Sequence, residues 1–228
     1  LGLKASLMYD GFSYRFVPFR NKISATDPGI VDADDLYRKM TDGTFKWDAL
    51  KRKDYFVDYQ NMYTFLGVLS QRQLFLNVAN SLIDAGENDK ALEILDLCQT
   101  NFPEENFPLE SIPVGFSSND YMVIQMVENY YYLGEGEKAR ELGLKLAEDL
   151  LDSSRFFLEY YDYSSSSFDG CRRCLVYLAD VFQQYGDKDL SDRLLDSLEL
   201  LVKVAVGRLD PEGDYDAEPD SVEVEEAD

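Results

Sequence analysis

The chain has 228 residues, 45% of them apolar and 14% aromatic, enough to bury a proper core in one domain or two small ones. Its 22 Lys and Arg stand against 44 Asp and Glu, and a net charge of −22 repels phosphate backbones and anionic lipid, which argues against nucleic-acid partners and leaves cationic or neutral ones. With no histidine, Ser-His-Asp and Cys-His nucleophiles, His-ligated zinc and the usual general base near neutral pH are excluded, so chemistry here would rest on carboxylates, Tyr, Lys or Cys.

No stretch approaches the ~20 apolar residues of a membrane-spanning helix. The chain starts at Leu1 and shows no signal-peptide pattern, so it reads as a piece of something longer or a processed product. Three cysteines, Cys98, Cys171 and Cys174, are too few for a disulfide scaffold and do not fix the compartment.

In chain order, residues 7–19 place Phe12, Tyr14 and Phe16 at period two, which predicts a strand ended by Pro18. Asp32 is positioned to cap a helix through Leu36, Tyr37 and Met40 that stops at Gly43, with Trp47 anchoring the loop beyond. From Asn61 to about Arg208 the apolar period changes to that of helices, and six segments are expected, the first a long helix over 61–85. The last 21 residues carry ten acids, one base and two prolines, a composition that predicts disorder. Three units result: 1–58, with strand, short helix and loops packing on the helices; the helical domain 59–207; and the acidic tail 208–228.

The helices repeat. In LIDAGENDKALEILD (82–96), YYYLGEGEKARELGL (130–144) and FQQYGDKDLSDRLLD (182–196), a glycine at 86, 134 or 186 precedes by five residues the small side chain of Ala91, Ala139 or Ser191. A glycine there ends a helix in the left-handed conformation, and a small residue in the next helix lets the two lie close. This spacing resembles the tetratricopeptide repeat, a 34-residue helical hairpin. Its signature positions fall on Phe75, Val78, Ala79, Leu82, Leu95, Cys98 and Pro103 in the first hairpin, on Val123, Met126, Val127, Tyr130 and Leu146 in the second, and on Leu175, Leu178, Ala179, Phe182, Leu195 and Leu198 in the third. Gly143 and Val127 depart from the motif, the second and third hairpins lack the closing proline, and inserts at 102–116 and 156–170 stretch the spacing. The fold expected is all-α: a tetratricopeptide-like stack of three helical hairpins with a short N-terminal β segment and a disordered acidic tail.

A second resemblance runs along nearly the whole chain. GFSYRFVPF at 11–19, VDADDLY at 31–37, FKW at 45–47, the helix 61–85 and DKALEILDLCQTNFP at 89–103 occur in an order similar to the C-terminal soluble region of a bacterial family of multi-pass membrane proteins, once a domain of unknown function and now described as protein O-mannosyltransferase-like, with a GT-C type glycosyltransferase membrane half. The resemblance implies that Leu1 follows a last membrane span and that this region faces the periplasm. It transfers no catalytic residue.

Three motifs could carry chemistry. Asp32-Ala33-Asp34-Asp35 spells a DxDD able to share a divalent cation, but just before an amphipathic helix such acids serve as caps. Cys171 and Cys174 form a CxxC without the strand-helix context of a redox pair or the second pair of a zinc site, which reads as two small apolar residues one turn apart. The tail segment DPEGDYDAEPD matches a calcium loop in composition alone.

The first helices of such a stack line a concave groove, whose positions fall on Gln73, Leu76, Asn80 and Ile83, then Tyr121, Ile124, Glu128 and Tyr131, then Arg173, Val176, Asp180 and Gln183. That set would suit an extended peptide with a cationic or amide-rich face, or sugar rings stacked on Tyr121 and Tyr131, provided the N-terminal strand or the inserts do not fill it. The function expected is a non-catalytic interaction or scaffold domain, without metal or cofactor, that presents an acceptor protein or partner subunit to a membrane glycosyltransferase-like parent. The alternatives are a free-standing cytoplasmic peptide-binding adaptor and a carboxylate-dependent carbohydrate enzyme built on two acids.

Overall fold

The computed structural model describes residues 4–11, 13–19, 30–58, 61–62, 67–110 and 119–209. The acidic tail beyond Leu209, with its calcium-like segment, lies outside them, as do Phe12 and residues 111–118 of the first insert. Among the described residues the elements run β1 (Leu7–Tyr9), β2 (Tyr14–Phe16), β3 (Ile30–Val31), α1 (Ala33–Thr41), α2 (Arg72–Asp84), α3 (Asn88–Asn101), α4 (Asn119–Tyr132), α5 (Gly136–Glu159), α6 (Tyr161–Gln184) and α7 (Lys188–Leu209).

The expected single strand over 7–19 is a hairpin instead. Gly11 takes a φ of +83°, which a β-branched or aromatic residue would resist, and the chain doubles back so that Leu7 faces Phe16 and Tyr9 faces Tyr14. Ile30–Val31 then adds in parallel to the other side of β1, giving a sheet of order β2-β1-β3. A two-residue strand has no period to read, so it was invisible in the sequence.

α1 begins as expected. The Asp32 side chain accepts the Asp35 N–H at 3.1 Å, Leu36 and Met40 are buried, and Gly43 carries a φ of +83° just past the end. Trp47 lies 5.0 Å from Phe75, and Phe75, Phe102 and Phe107 continue in edge contacts of 5.8 and 5.3 Å. This chain of rings joins residues 1–58 to the first hairpin and its insert.

The long helix expected over 61–85 is shorter. A 3₁₀ turn over Leu69–Gln71 leads into α2, which starts at Arg72. Arg72 is 2% exposed, and its guanidinium donates to the carbonyl oxygens of Phe107 and Pro108, each at 2.9 Å.

The three hairpin turns repeat one motif. Gly86, Gly134 and Gly186 take φ values of +77°, +83° and +92°, and each glycine N–H bonds three residues back while the next N–H bonds five back, to Leu82, Tyr130 and Phe182. Ala91, Ala139 and Ser191 are all buried where the paired helices approach. Of the repeat positions, Leu195 is a correction: it faces solvent, and Leu194 packs inward in its place. The insert 156–170 is helical: it lengthens the second helix of the second hairpin and the first helix of the third, giving α5 and α6 24 residues each, separated by Tyr160 and with a kink at Ser164. Ser164 Oγ donates to the carbonyls of Phe157 and Tyr160 at 2.9 and 2.6 Å, tying the kink back to the end of α5.

Burial fixes the alkaline limit of stability. Desolvation pushes the Tyr9 phenol and the Cys98 thiol up to about 12 and raises Tyr130 and Tyr131, the last two helped by their aspartate neighbours. Folded values above unfolded ones mean that the contribution is fully present below the unfolded thiol and phenol range and is lost as pH climbs through the folded values. The urea midpoint should therefore hold from pH 7 to about 9 and fall steeply above about 10. Phenolate absorbance should show a late fraction appearing only with loss of helical signal. A midpoint flat to pH 11 would contradict this.

Candidate functional site

α2, α4 and α6 lie side by side, each backed by its hairpin partner α3, α5 or α7, so their outer faces form one surface. The sequence placed twelve residues along it, and the structure divides them. Asn80, Tyr121, Arg173, Asp180 and Gln183 are exposed, and Gln73, Ile83, Glu128 and Val176 are half-buried. Leu76 and Ile124 are wholly buried, which corrects their placement as groove lining. The reason is neighbours on three sides: α2 is covered by α1, α3 and α4, and α4 by α2, α5 and α6. Tyr131 is likewise core. It stacks on Tyr185 at 4.8 Å and donates its hydroxyl to Asp187, while Tyr132 next to it takes the exposed position.

A shift of one residue around each helix explains the correction. Asn77 and Gln125, not Leu76 and Ile124, stand at the solvent level of their helices, so the face is more polar than expected. Side chains cross it in pairs. Asn129 Nδ2 donates to Asn80 Oδ1 at 2.7 Å between α4 and α2, and the Tyr177 hydroxyl donates to Glu128 at 3.5 Å between α6 and α4, with the Tyr121 ring 6.2 Å from that of Tyr177. At the α2 end the face is closed by the sheet: Asn77 accepts from Gln73 at 2.8 Å and bonds the Tyr9 hydroxyl of β1. What stays open runs from Asn80 across Gln125 and Glu128 to Arg173 and Asp180. Nothing in the one-dimensional pattern marked Asn77 or Tyr177, because polar residues at solvent positions are the rule on any amphipathic helix.

Behind this surface, adjacent tyrosines act as braces. Tyr130 donates to Asp96 of α3 at 3.1 Å, where Lys138 also binds, and Tyr131 reaches Asp187 at the start of α7, where Arg140 also binds at 3.3 Å. Two residues of α4 thus tie the hairpins before and after it. A cleft of about 470 Å³ between α3 and α5 is lined by Phe102, Tyr130 and Leu142 together with Lys138 and Lys145, whose ammonium groups pair with Asp96 and Glu104.

The motifs with possible chemistry resolve into structure. Asp32 caps α1, Asp34 pairs with Lys90 at 3.1 Å, and Asp35 pairs with Lys39 at 2.7 Å and with Arg38. Lys39, and after it Arg38, hold the Asp35 carboxyl below the usual range by hydrogen bonding to it. Cys171 and Cys174 are buried on one side of α6, in the apolar role their spacing suggested. One carboxyl stands out among the described residues: Asp149 on α5 is raised by burial and by Glu104 beside it.

No family model matches the chain, and no curated protein or solved structure does either. Among the described residues no helix is long and apolar enough to cross a membrane.

Proposed function

We propose that this chain is a non-catalytic interaction domain that holds an extended, cationic or amide-rich peptide segment of a partner protein on the face of α2, α4 and α6. The observation that carries the reading is the open stretch of that face. Amides from three helices, the carboxylates of Glu128 and Asp180, and the rings of Tyr121 and Tyr177 stand along it, together with Arg173. Amide side chains can pair with an extended backbone, carboxylates with its Lys or Arg, and tyrosine rings with aliphatic stems. The resemblance to the mannosyltransferase-like membrane family supplies the setting: a domain on the periplasmic side that presents an acceptor or a partner subunit to catalytic groups located in the membrane half.

The test uses a labelled ten-residue peptide of alternating Lys and Ser. Replacing Glu128→Lys and Asp180→Lys together should weaken binding at least tenfold, with unchanged helical signal. Asp192→Lys with Asp196→Lys, both exposed on α7, changes total charge equally and should cost at most two- to threefold. Equal losses in both pairs would mean that the peptide senses the overall field and would sink the groove reading.

A further inference from the structure

The exposed side of the small sheet is built to pair with another strand. β2 is an edge, and the ladder shows which groups it offers. Val17 N–H donates to Ser6 O and Asp10 N–H to Ser13 O, each at 2.9 Å, and Arg15 lies opposite Met8 between them. In an antiparallel ladder hydrogen-bonded pairs alternate with open ones, so Arg15 turns its N–H and C=O toward β1 while Tyr14 and Phe16 turn theirs outward. Their side chains share one face and are 52% and 64% exposed, with Phe19 52% exposed just beyond. Natural edges are usually blunted by charge, proline or a covering element; here Pro18 ends the strand, but both open positions within β2 carry aromatic rings.

We propose that the occupant of this edge is a second copy of the same chain, joined by antiparallel β2–β2 pairing about a twofold axis at Arg15. The pattern is self-complementary. Tyr14 of each copy meets Phe16 of the other, each pair exchanging two N–H···O bonds and stacking its rings across the strands, to give a continuous six-stranded sheet. The self-complementary register favours a copy over a foreign strand, and charge permits it. Residues 1–58 hold ten Lys and Arg against nine Asp and Glu, whereas the remainder holds twelve against 35. Pairing at β2 brings the near-neutral ends together and points the acidic stacks apart, the arrangement with least repulsion for such a chain. The two Arg15 side chains meet on the opposite sheet face, where each already pairs with its own Asp10 at 2.8 Å and Asp10 is also bonded by Lys39. The proposal does not depend on the peptide-binding reading.

Sedimentation velocity from 5 to 500 µM tests it. The weight-average mass should rise from 26.1 kDa toward twice that value, and further when salt is raised from 0.05 to 0.5 M, since screening removes residual repulsion. Phe16→Pro removes an outward N–H without touching the β1 ladder and should stay monomeric at every concentration. Arg15→Cys, in the facing pair on the axis, should give a covalent dimer on mild oxidation, a readout that survives if the proline variant folds poorly. A wild-type mass fixed at 26.1 kDa at 500 µM overturns the proposal, as does a Phe16→Pro variant that assembles like wild type or an Arg15→Cys variant that stays monomeric after oxidation.

Discussion

Replacing Arg72 by Met should lower the unfolding free energy by ~3 kcal/mol, and Arg72→Ala by ~4 to 5. Met keeps the aliphatic stem, so its cost isolates the guanidinium. That group bridges two successive carbonyls, Phe107 O and Pro108 O, from within a nearly closed site, and lies 5.5 Å from the Phe102 ring centroid. A hydrogen bond from a charged donor contributes about 1.5 to 3 kcal/mol, and its loss strands acceptors that water reaches poorly. Phe107 is fully buried, so the bridge fixes the start of the insert between the first two hairpins against α2. Arg72→Lys should not restore stability, because one ammonium on a flexible stem cannot match the planar fork that spans two carbonyls. Urea denaturation gives the energies, and limited proteolysis between residues 103 and 118 should accelerate in all three variants. A Met variant within 0.5 kcal/mol of wild type would show that the bridge only decorates a connection fixed by its aromatic residues.

Local signals were easy to read and shared ones were not. The glycines at 86, 134 and 186 and the small residues five positions on are demands of a single turn, and every one is met in the structure. The Asp32 cap and the inward Leu36 and Met40 follow from one helix alone. Arg72 is the contrary case. At the start of an amphipathic helix it looks like an ordinary surface cation, and only the insert returning 35 residues later supplies the carbonyls that allow its burial. β3 owes its existence to β1 in the same way, by pairing rather than propensity.

The candidate groove shows the same boundary at finer scale. α2, α4 and α6 stand side by side as expected, with Asn80, Arg173 and Asp180 exposed on that face and Glu128 half-buried. Leu76 and Ile124 were assigned from a repeat in which first helices are exposed on one side. Here α1 and the sheet cover the first helix, and close α2–α4–α6 packing turns both side chains into core. The choice between Tyr131 and its neighbours needed a fact that no periodicity holds: Asp187, 56 residues away, waits beside the ring to accept its hydroxyl. A buried tyrosine requires such a partner; Tyr130 and Tyr131 each find one, in Asp96 and Asp187, while Tyr132 stays outside.

Gly143→Leu should cost ~3 kcal/mol although leucine is the better helix former by nearly 1 kcal/mol. Gly143 is the residue that departs from the repeat pattern, and its surroundings explain why. A Cβ built there would lie 2.7 Å from Cζ and 2.9 Å from Cε1 of Phe182, with Leu178 at 3.5 Å. The Phe182 ring cannot swing away, since it is fully buried and meets Tyr131 edge-on at 6.5 Å between ring centroids. Glycine on α5 is thus the notch into which the ring of α6 fits, and it permits close approach of the second and third hairpins. Phe182→Ala alone should cost ~3 to 5 kcal/mol through the cavity it leaves. Combined with Gly143→Leu, the new side chain occupies part of that cavity, so the double variant should be more stable than the sum of the single losses predicts by at least ~1.5 kcal/mol. Strict additivity in the double-mutant cycle would mean that the two positions do not compete for one space, and the notch would be the wrong account of this glycine.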